Sequence, residues 1–158
     1  MTRLPALGAR GEGWLVIQFG LLIVIVASAY AGRAWGGEVG AVTSAVGIVL
    51  LIAGGTLAVR GIVDLGGALT PFPRPREGGR LIESGAYRLV RHPIYGGLVI
   101  GALGWGLFKA SPLALLLSVG LLLFFDLKSR REEAWLADEY PGYGEYRNRT
   151  RRLIPFLY

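Results

Sequence analysis

Four long apolar blocks dominate this chain and restrict the folds that are open to it. They cover residues 14–31, 39–63, 94–108 and 112–127. A helix of about 20 apolar residues crosses the hydrocarbon core of a bilayer, and inside lipid only helices and closed barrels satisfy the backbone N–H and C=O groups. We therefore predict an all-α integral membrane bundle of about four transmembrane helices, in a single domain that covers residues 1–158.

The distribution of basic residues predicts how this bundle lies in its membrane. The chain has 17 Lys and Arg against 11 Asp and Glu, which gives a net charge of +6. With the N-terminus inside, 15 of those 17 basic residues lie on the cytoplasmic side, and Arg33 and Lys109 lie outside. Because cytoplasmic loops are enriched in Lys and Arg, we expect an integral protein of a cell membrane, the inner membrane of a bacterium, with both termini in the cytoplasm. The basic surface then faces membrane lipid, and no nucleic acid is expected as a partner.

The first block has some features of a secretory signal. Arg3 and Arg10 precede it, and Ala27-Ser28-Ala29 resembles a cleavage site. However, the block is longer than the usual apolar core of a signal peptide, and three further apolar blocks follow it. We therefore predict that it remains as a membrane helix.

Glycines in the second and third blocks predict close packing between helices. The second block contains Gly47, Gly54, Gly55 and Gly61, and the third contains Gly101-x-x-Gly104-x-Gly106. Small residues let the backbones of membrane helices approach each other. We interpret both sets as packing positions, not as a nucleotide-binding loop.

The cysteine and histidine content excludes several kinds of site. The chain has no cysteine and one histidine, His92. A disulfide, a thiolate nucleophile and a Cys-ligated metal are therefore excluded, and a single histidine makes a His-based metal centre improbable. No metal is expected.

A polar segment, residues 64–92, separates the second and third blocks. Its core, from Thr70 to Arg80, carries three prolines and two glycines, so it cannot form a regular helix. Connections of this length inside a compact domain are usually functional or disordered. We interpret this one as functional because it leads directly into Tyr87, Arg91 and His92.

The end of the polar segment, Arg91-His92-Pro93-Ile94-Tyr95, predicts a helix entry. Pro93 favours the first helical position and pushes His92 out of the α region. Tyr87, Arg91 and His92 then lie at a helix N-terminus, where free backbone N–H groups favour an anion. A lone histidine beside proline is nevertheless more often structural than functional.

The fourth block continues as a polar helix. Residues 126–136 retain good helix formers, and Pro141-Gly142 ends the run. This extension carries Glu132 and Glu133 on the cytoplasmic side, with Lys128 one turn before Glu132. Adjacent acids of this kind more often belong to a solvated, salt-bridged helix surface, and these residues alone do not decide between that interpretation and a site.

Two groups of residues together resemble a known family. Gly85-x-Tyr87-x-x-x-Arg91-His92-Pro93-x-Tyr95-x-Gly97 is followed by Glu132-Glu133-x-x-Leu136, then by Tyr143-x-x-Tyr146 and Ile154-Pro155. In order, spacing and membrane context they closely resemble the isoprenylcysteine carboxyl methyltransferase family, which is related to the integral-membrane phospholipid N-methyltransferases. The resemblance covers residues 69–158, and the N-terminal half is similar only as two membrane helices.

The resemblance implies methyl transfer from S-adenosylmethionine to a lipophilic acceptor at the cytosolic face, most like carboxyl O-methylation of a prenylcysteine. It implies that the cofactor is contacted by Gly79, Arg80, Leu81, Ile82, Tyr87, His92, Pro93, Ile94, Tyr95 and Glu132. Lys128 matches a basic residue of the family, usually arginine, that contacts the substrate, and Arg131 or Arg130 is a further candidate. Arg91 and Glu133 are the candidate catalytic residues.

The nature of the acceptor remains open at the level of sequence. A carboxylate needs no general base, whereas an amine or thiol must lose a proton, for which His92 or Glu133 is the candidate. A phospholipid amine and a small lipophilic thiol are therefore alternative acceptors. In a different class, the chain could be a non-catalytic membrane scaffold whose basic tail binds anionic lipid. The sequence does not indicate an oligomeric state.

The charge asymmetry predicts a topology that labelling can test. Because the chain has no cysteine, Arg33→Cys and Arg76→Cys each introduce a unique reporter. We expect position 33 to react with a membrane-impermeant thiol reagent on intact cells, and position 76 only after lysis. The opposite labelling pattern would contradict the predicted orientation.

Overall fold

The described part of the chain is helical. The computed structural model describes residues 5–70, 72 and 79–157. Its α-helices are α1 (Glu12–Ser28), α2 (Gly37–Leu65), α3 (Pro93–Phe108), α4 (Pro112–Glu139) and α5 (Tyr143–Arg149), with short 3₁₀ turns at Gly66–Ala68 and Gly85–Arg88. These described residues contain no β-strand, and one isolated parallel bridge joins Val90 to Arg151. The all-α prediction is confirmed.

The helix boundaries agree with the sequence at most ends. α3 begins at Pro93, as predicted, with His92 as its N-cap, and α4 continues beyond its apolar part, 112–127, to Glu139. The first block differs, because α1 ends at Ser28 and not at residue 31. Helix α5 lies in a tail for which no helix was predicted. Residues 71 and 73–78, where the proline-rich core was predicted to be non-helical, lie outside the described residues.

The helices support a membrane protein. α2 and α4 are long and apolar enough to cross a bilayer. The most apolar stretch of α2 is only 11% buried, unlike the core helix of a soluble protein. α1 and α3 are shorter, with 17 and 16 residues, so an α3 of roughly 24 Å falls short of a hydrocarbon core of about 30 Å. The crossing of all four helices therefore remains a prediction.

The helices pack in the order α2, α3, α4, α1. A tight turn joins α3 to α4, where Ala110 has a φ of 53° and the Ser111 hydroxyl accepts a hydrogen bond from the Ala114 N–H. Within the described residues α1 and α2 make little contact with each other. A gap between these two helices is therefore left on one side of the bundle.

Glycine makes the closest helix contact in the structure possible. Gly47, Gly54 and Gly61 lie seven residues apart on α2 and are buried. A Cβ at Gly54 would lie 2.5 Å from the Gly97 carbonyl oxygen and 2.6 Å from the Gly101 nitrogen of α3. The predicted packing role is confirmed at these α2 positions. It is wrong for Gly55, which faces open space because it is displaced by about 100° around the helix.

Two adjacent glycines of α2 provide a matched test of this contact. Gly54→Ala forces the two backbones apart and should destabilise the protein by about 1–3 kcal/mol. Gly55→Ala should be neutral or stabilise by up to about 1 kcal/mol, since alanine favours the helix and meets no neighbour. Thermal unfolding in detergent measures both. Equal melting temperatures for the two variants would contradict the packing role of Gly54.

Candidate functional site

The segment that enters α3 is fixed by the C-terminal tail. The backbone N–H groups of Arg91 and His92 donate to the carbonyl oxygens of Arg151 and Arg152, at 2.8 and 3.0 Å. The tail also packs on α3, because a Cβ at Gly96 would overlap the Leu153 carbonyl. The His-Pro entry to α3 is therefore held by hydrogen bonds to a segment that lies about sixty residues later in the sequence.

Arg91 is buried and stabilises the position of this entry to α3. Its Nε donates to Glu133 Oε1 at 2.8 Å. Its Nη1 donates to the carbonyl oxygens of Arg147, in the last turn of α5, and of Thr150, the residue directly after α5. The guanidinium thus connects α4 to the tail, and most of its donors have protein partners.

Glu133 is the acceptor at the centre of this network. Its Oε1 also lies 3.2 Å from His92 Nε2 and 3.3 Å from Arg152 Nε. Glu133 lies beyond the apolar part of α4, outside the membrane-spanning segment. Burial alone raises the pKa of the Glu133 carboxyl, but His92 and Arg91 outweigh it and lower that pKa to about 2. The carboxylate is therefore ionised at every physiological pH.

Aromatic rings form the floor of the site. The rings of His92 and Tyr95 stack with centroids 5.4 Å apart, and Tyr95 stacks on Phe125 at 4.6 Å. The Tyr95 hydroxyl donates to Glu132 Oε2 at 2.8 Å, and the Lys128 ammonium lies 4.7 Å from the centroid of the Tyr95 ring. Tyr95 therefore links the two candidate residues that α4 presents to the site.

A cavity of about 570 Å³ opens over this floor, a size typical of small-molecule sites. The predicted site residues in its wall are Gly79, Arg80, Leu81, Ile82, Tyr87, Arg91, His92, Ile94, Tyr95, Lys128 and Glu132. The structure thus brings together the polar segment, the entry to α3 and the extension of α4.

Four predicted residues are not in this wall, and one of them, Arg130, donates from its Nε to Asp126 at 2.8 Å. Pro93 is buried as the first residue of α3. Glu133 lies behind the wall, where its carboxylate contacts the wall residues Arg91 and His92. Arg131 points elsewhere, and its guanidinium stacks on the Trp135 ring at 4.2 Å, because neighbouring positions on a helix point about 100° apart.

Several residues of the wall were not among the sequence candidates. α1 contributes Leu15, Gln18 and Phe19, the end of α2 contributes Ile62 and Leu65, and the tail contributes Tyr140, Tyr143 and Tyr146. One signal was available for Gln18, since it is one of the few polar residues in the first apolar block. No spacing argument could place α1 next to α4.

Tyr143 is unusual among these additional residues. Its side chain is 1% exposed, and its hydroxyl has no hydrogen-bond partner among the described residues. Burial and the nearby Glu133 raise the pKa of Tyr143, so the hydroxyl remains a proton donor. A buried donor without a partner is costly, and here it belongs to a residue of the cavity wall.

Glu133→Gln tests the network behind the cavity. We expect a loss of roughly 3 kcal/mol of stability, at the low end for breaking a buried ion pair, because glutamine keeps one acceptor oxygen. The folded-state pKa lies below the ordinary value of 4.5, so this contribution is present above pH 4.5 and is lost as the pH falls towards 2. Thermal unfolding in detergent at pH 7 and at pH 3 should therefore show a smaller difference between wild type and variant at pH 3. A constant difference would contradict the role of the charge.

Comparison with known proteins finds a matching family and several relatives of this chain. The profile of the phospholipid methyltransferase family matches residues 42–142, which include α3, most of α2 and all of α4. A probable protein-S-isoprenylcysteine O-methyltransferase of Oryza sativa subsp. indica is 31% identical over 118 residues, which cover 72% of this chain and 62% of the relative.

Two further relatives match shorter segments. The cobalt-zinc-cadmium resistance protein CzcN of Cupriavidus metallidurans is 34% identical over 83 residues, 52% of this chain and 38% of the relative. The protein-S-isoprenylcysteine O-methyltransferase of Saccharomyces cerevisiae is 35% identical over 79 residues, 49% of this chain and 33% of the relative. The chain thus spans between about a third and two thirds of the length of these relatives. The match over more than half of the chain, together with relatives named as isoprenylcysteine methyltransferases, confirms the resemblance seen in the sequence: the chain belongs to the phospholipid methyltransferase family.

Proposed function

We propose that this protein is a methyltransferase that uses S-adenosylmethionine and methylates a lipophilic acceptor at the membrane. The observation that carries the proposal is that the wall of one cavity combines a polar part with an apolar part. One part of its wall is polar, with Arg80, Glu132 and Tyr143. Another part is apolar, and there the wall residues Phe19 and Ile62 are 58% and 43% exposed.

The polar part of the cavity fits the cofactor. Glu132 offers a carboxylate to an ammonium or to ribose hydroxyls, and the orphaned Tyr143 hydroxyl offers a donor. The ring of Tyr87, which also lines the cavity, can face a cation with its π-cloud. Arg91 is already engaged by Glu133 and by tail carbonyls, so the exposed Arg80 is the better partner for the cofactor's carboxylate.

When bound, S-adenosylmethionine would supply a methyl group on a sulfonium, so that the acceptor could attack the methyl carbon in line while the sulfur leaves as a neutral thioether. The chain's own residues align the two reactants and exclude water, which such a displacement chiefly requires. His92 and Tyr95 form a rigid stacked floor, and Glu133 holds His92 and Arg91 from behind. We therefore assign Glu133 a positioning role, because its buried, ionised carboxylate does not line the cavity.

The acceptor that fits best is a lipophilic carboxylate, as in prenylcysteine O-methylation. Phe19 and Ile62 belong to α1 and α2, so the gap between these helices gives a lipid-dissolved acceptor a lateral path to the cavity. The Oryza and Saccharomyces relatives carry names that specify protein-S-isoprenylcysteine, which supports this choice. An amine or thiol acceptor needs a general base, and with Glu133 held at low pKa only His92 remains of the two candidates.

Glu132→Gln is the primary test of the proposal. Removing a charged hydrogen-bond partner from the site should weaken S-adenosylmethionine binding by roughly 1.5–3 kcal/mol, about tenfold or more. Tyr143→Phe should also weaken binding while leaving the unliganded protein at least as stable, since it removes an unsatisfied buried group. Isothermal titration calorimetry and thermal unfolding in detergent measure the two quantities.

Glu139→Gln is the control, because Glu139 is exposed and lies at the end of the same helix. The affinity of this variant for S-adenosylmethionine should equal that of the wild type. Wild-type protein that does not bind S-adenosylmethionine would instead support the scaffold alternative, which has no reason to hold the cofactor. Equal affinities for Glu132→Gln and Glu139→Gln would remove Glu132 from the site.

A further inference from the structure

Another hollow lies at the end of the bundle opposite the cavity, here called the far end, where α1 and α3 end and α2 and α4 begin. Its volume is about 450 Å³, and its wall contains Arg33 and Lys109. These are the two basic residues that the charge distribution places outside the cytoplasm. They are far apart in sequence, so the fold brings them to one place.

Backbone contacts and aromatic rings fix the positions of these two cations. The Ala34 N–H donates to the Ala110 carbonyl oxygen at 2.9 Å, so the residues that directly follow the two cations are hydrogen-bonded to each other. The Lys109 ammonium lies 4.4 Å from the centroid of the Tyr30 ring and 4.9 Å from that of the Trp105 ring. Cation–π contacts of this kind hold an ammonium group against neutral rings. The hollow is therefore built from several segments of the chain.

The far end carries a net positive charge. Residues 29–44 and 105–114 contain two basic side chains, Arg33 and Lys109, and one acidic side chain, Glu38. Glu38 is exposed in the first turn of α2, and among the described residues no carboxylate oxygen lies within 4.0 Å of either cation. The resulting charge of +1 complements a group with one negative charge, such as the phosphodiester of a phospholipid.

An apolar face of α1 connects this hollow with the cavity. Phe19, Ile23, Val26 and Tyr30 are exposed, and their spacing of four, three and four residues places them on one face of a helix. Phe19 lines the cavity and Tyr30, just beyond the end of α1, lines the hollow. Residues of α2 line both spaces as well, so this face of α1 borders the gap between α1 and α2.

A matching face of α2 forms the other side of the gap. Ser44 lines the hollow and Ile62 lines the cavity, and a separation of about five helical turns puts both on the same face. Ile48 and Gly55 lie on that face between them. Ile48 is exposed, and a Cβ at Gly55 would meet nothing within 4 Å. The gap is therefore an open groove with largely apolar sides, roughly 27 Å long.

We propose that Arg33 and Lys109 bind the phosphate of an anionic glycerophospholipid from the leaflet at the far end, and that one of its acyl chains lies in the groove between α1 and α2. A lipid fits better than a soluble anion because the hollow continues into apolar surfaces, and aromatic residues such as Tyr30 and Trp105 favour the lipid headgroup region. Half of a hydrocarbon core is about 15 Å thick. The acyl chain therefore fills the half of the groove next to the hollow and leaves the other half, beside the cavity, open.

A thiol placed in the groove reports whether a lipid occupies it. The chain has no cysteine, so Ile48→Cys introduces a unique reporter, and Val49→Cys is the matched control because Val49 is also exposed but points about 100° away. The rate of maleimide labelling is measured on delipidated protein in detergent, with phosphatidylglycerol or phosphatidylcholine of the same acyl chains. We expect phosphatidylglycerol to protect Ile48→Cys at a concentration about tenfold lower than phosphatidylcholine, because its headgroup keeps a net negative charge near two basic residues. Val49→Cys should show no such difference. Equal protection by the two lipids, no protection, or equal protection of both positions would overturn the proposal.

Substitution of the two cations, each combined with the Ile48→Cys reporter, locates the headgroup. Arg33→Gln with Lys109→Gln should remove the preference for phosphatidylglycerol. Arg33→Gln alone, at an exposed position where folding is not at risk, should raise the protecting concentration of phosphatidylglycerol about fivefold. Arg88→Gln is the control for loss of one positive charge, because Arg88 is exposed beside the cavity at the other end of the bundle, and it should leave the protection unchanged. An unchanged preference in Arg33→Gln, or an equal loss in Arg88→Gln, would refute the site.

Inorganic phosphate distinguishes a lipid site from a site for a soluble anion. At a concentration equal to that of phosphatidylglycerol it should not restore labelling of Ile48→Cys, because it has no apolar chain to hold it in the hollow. Displacement of the lipid by phosphate under these conditions would overturn the lipid assignment. These measurements use neither S-adenosylmethionine nor a methyl acceptor, so their outcome is independent of the proposed function.

Discussion

Glu133 accepts hydrogen bonds or ion pairs from three residues that belong to two distant segments, Arg91 and His92 at the entry to α3 and Arg152 in the tail. The contacts with Arg91 and His92 are buried, whereas Arg152 is partly exposed and has a second acidic partner in Asp126. Breaking such a cluster from one side leaves unpaired charges in a poorly solvated place. The position of His92, and with it the stacked floor of the cavity, follows from this one network.

The membrane part of the bundle determines where that network can form. Glycine contacts bring α2 and α3 close together, and the end of α2 then lies beside the entry to α3. There Asp64 accepts a hydrogen bond from the Ala86 N–H at 2.7 Å, which fixes the short turn that carries Tyr87. The same packing leaves α1 against α4 and away from α2. The cavity therefore has a polar wall near the extension of α4 and an apolar wall that faces the gap.

Two neighbouring acidic residues on α4, Glu132 and Glu133, point into different surroundings. Glu132 lines the cavity and accepts a hydrogen bond from the Tyr95 hydroxyl, whereas Glu133 is buried and meets Arg91, Arg152 and the His92 ring. The difference follows from a rotation of about 100° per residue. It makes Glu132 suitable for contact with a ligand and Glu133 suitable for holding other side chains. Lys128, one turn before Glu132, donates a hydrogen bond to the Gln18 side chain and lies over the Tyr95 ring.

The sequence by itself determined the helical class, the start of α3 at Pro93 and the continuation of α4 beyond its apolar part. These features depend on local rules: the length of apolar runs, the restriction of φ at proline, and helix propensity. The order and spacing of motif residues also indicated the family, and they directed attention to the residues that the structure brings into one cavity wall. Each of these inferences uses residues that are close together in the chain or that are compared with a known pattern.

The tertiary structure alone decided which side chains meet. In sequence the tail is a basic, aromatic segment, and its carbonyl groups accept hydrogen bonds from Arg91 and His92, a contact that no periodicity encodes. Gln18 and Tyr143 join the cavity because α1 packs on α4 and because the tail folds back, and both events depend on long-range packing. Gly54 and Gly55 are adjacent glycines that no local rule distinguishes, yet Gly54 contacts α3 and Gly55 faces open space. Local sequence specifies the helices. The site is specified by contacts between distant segments, namely the pairing of buried charges and the packing of glycine faces.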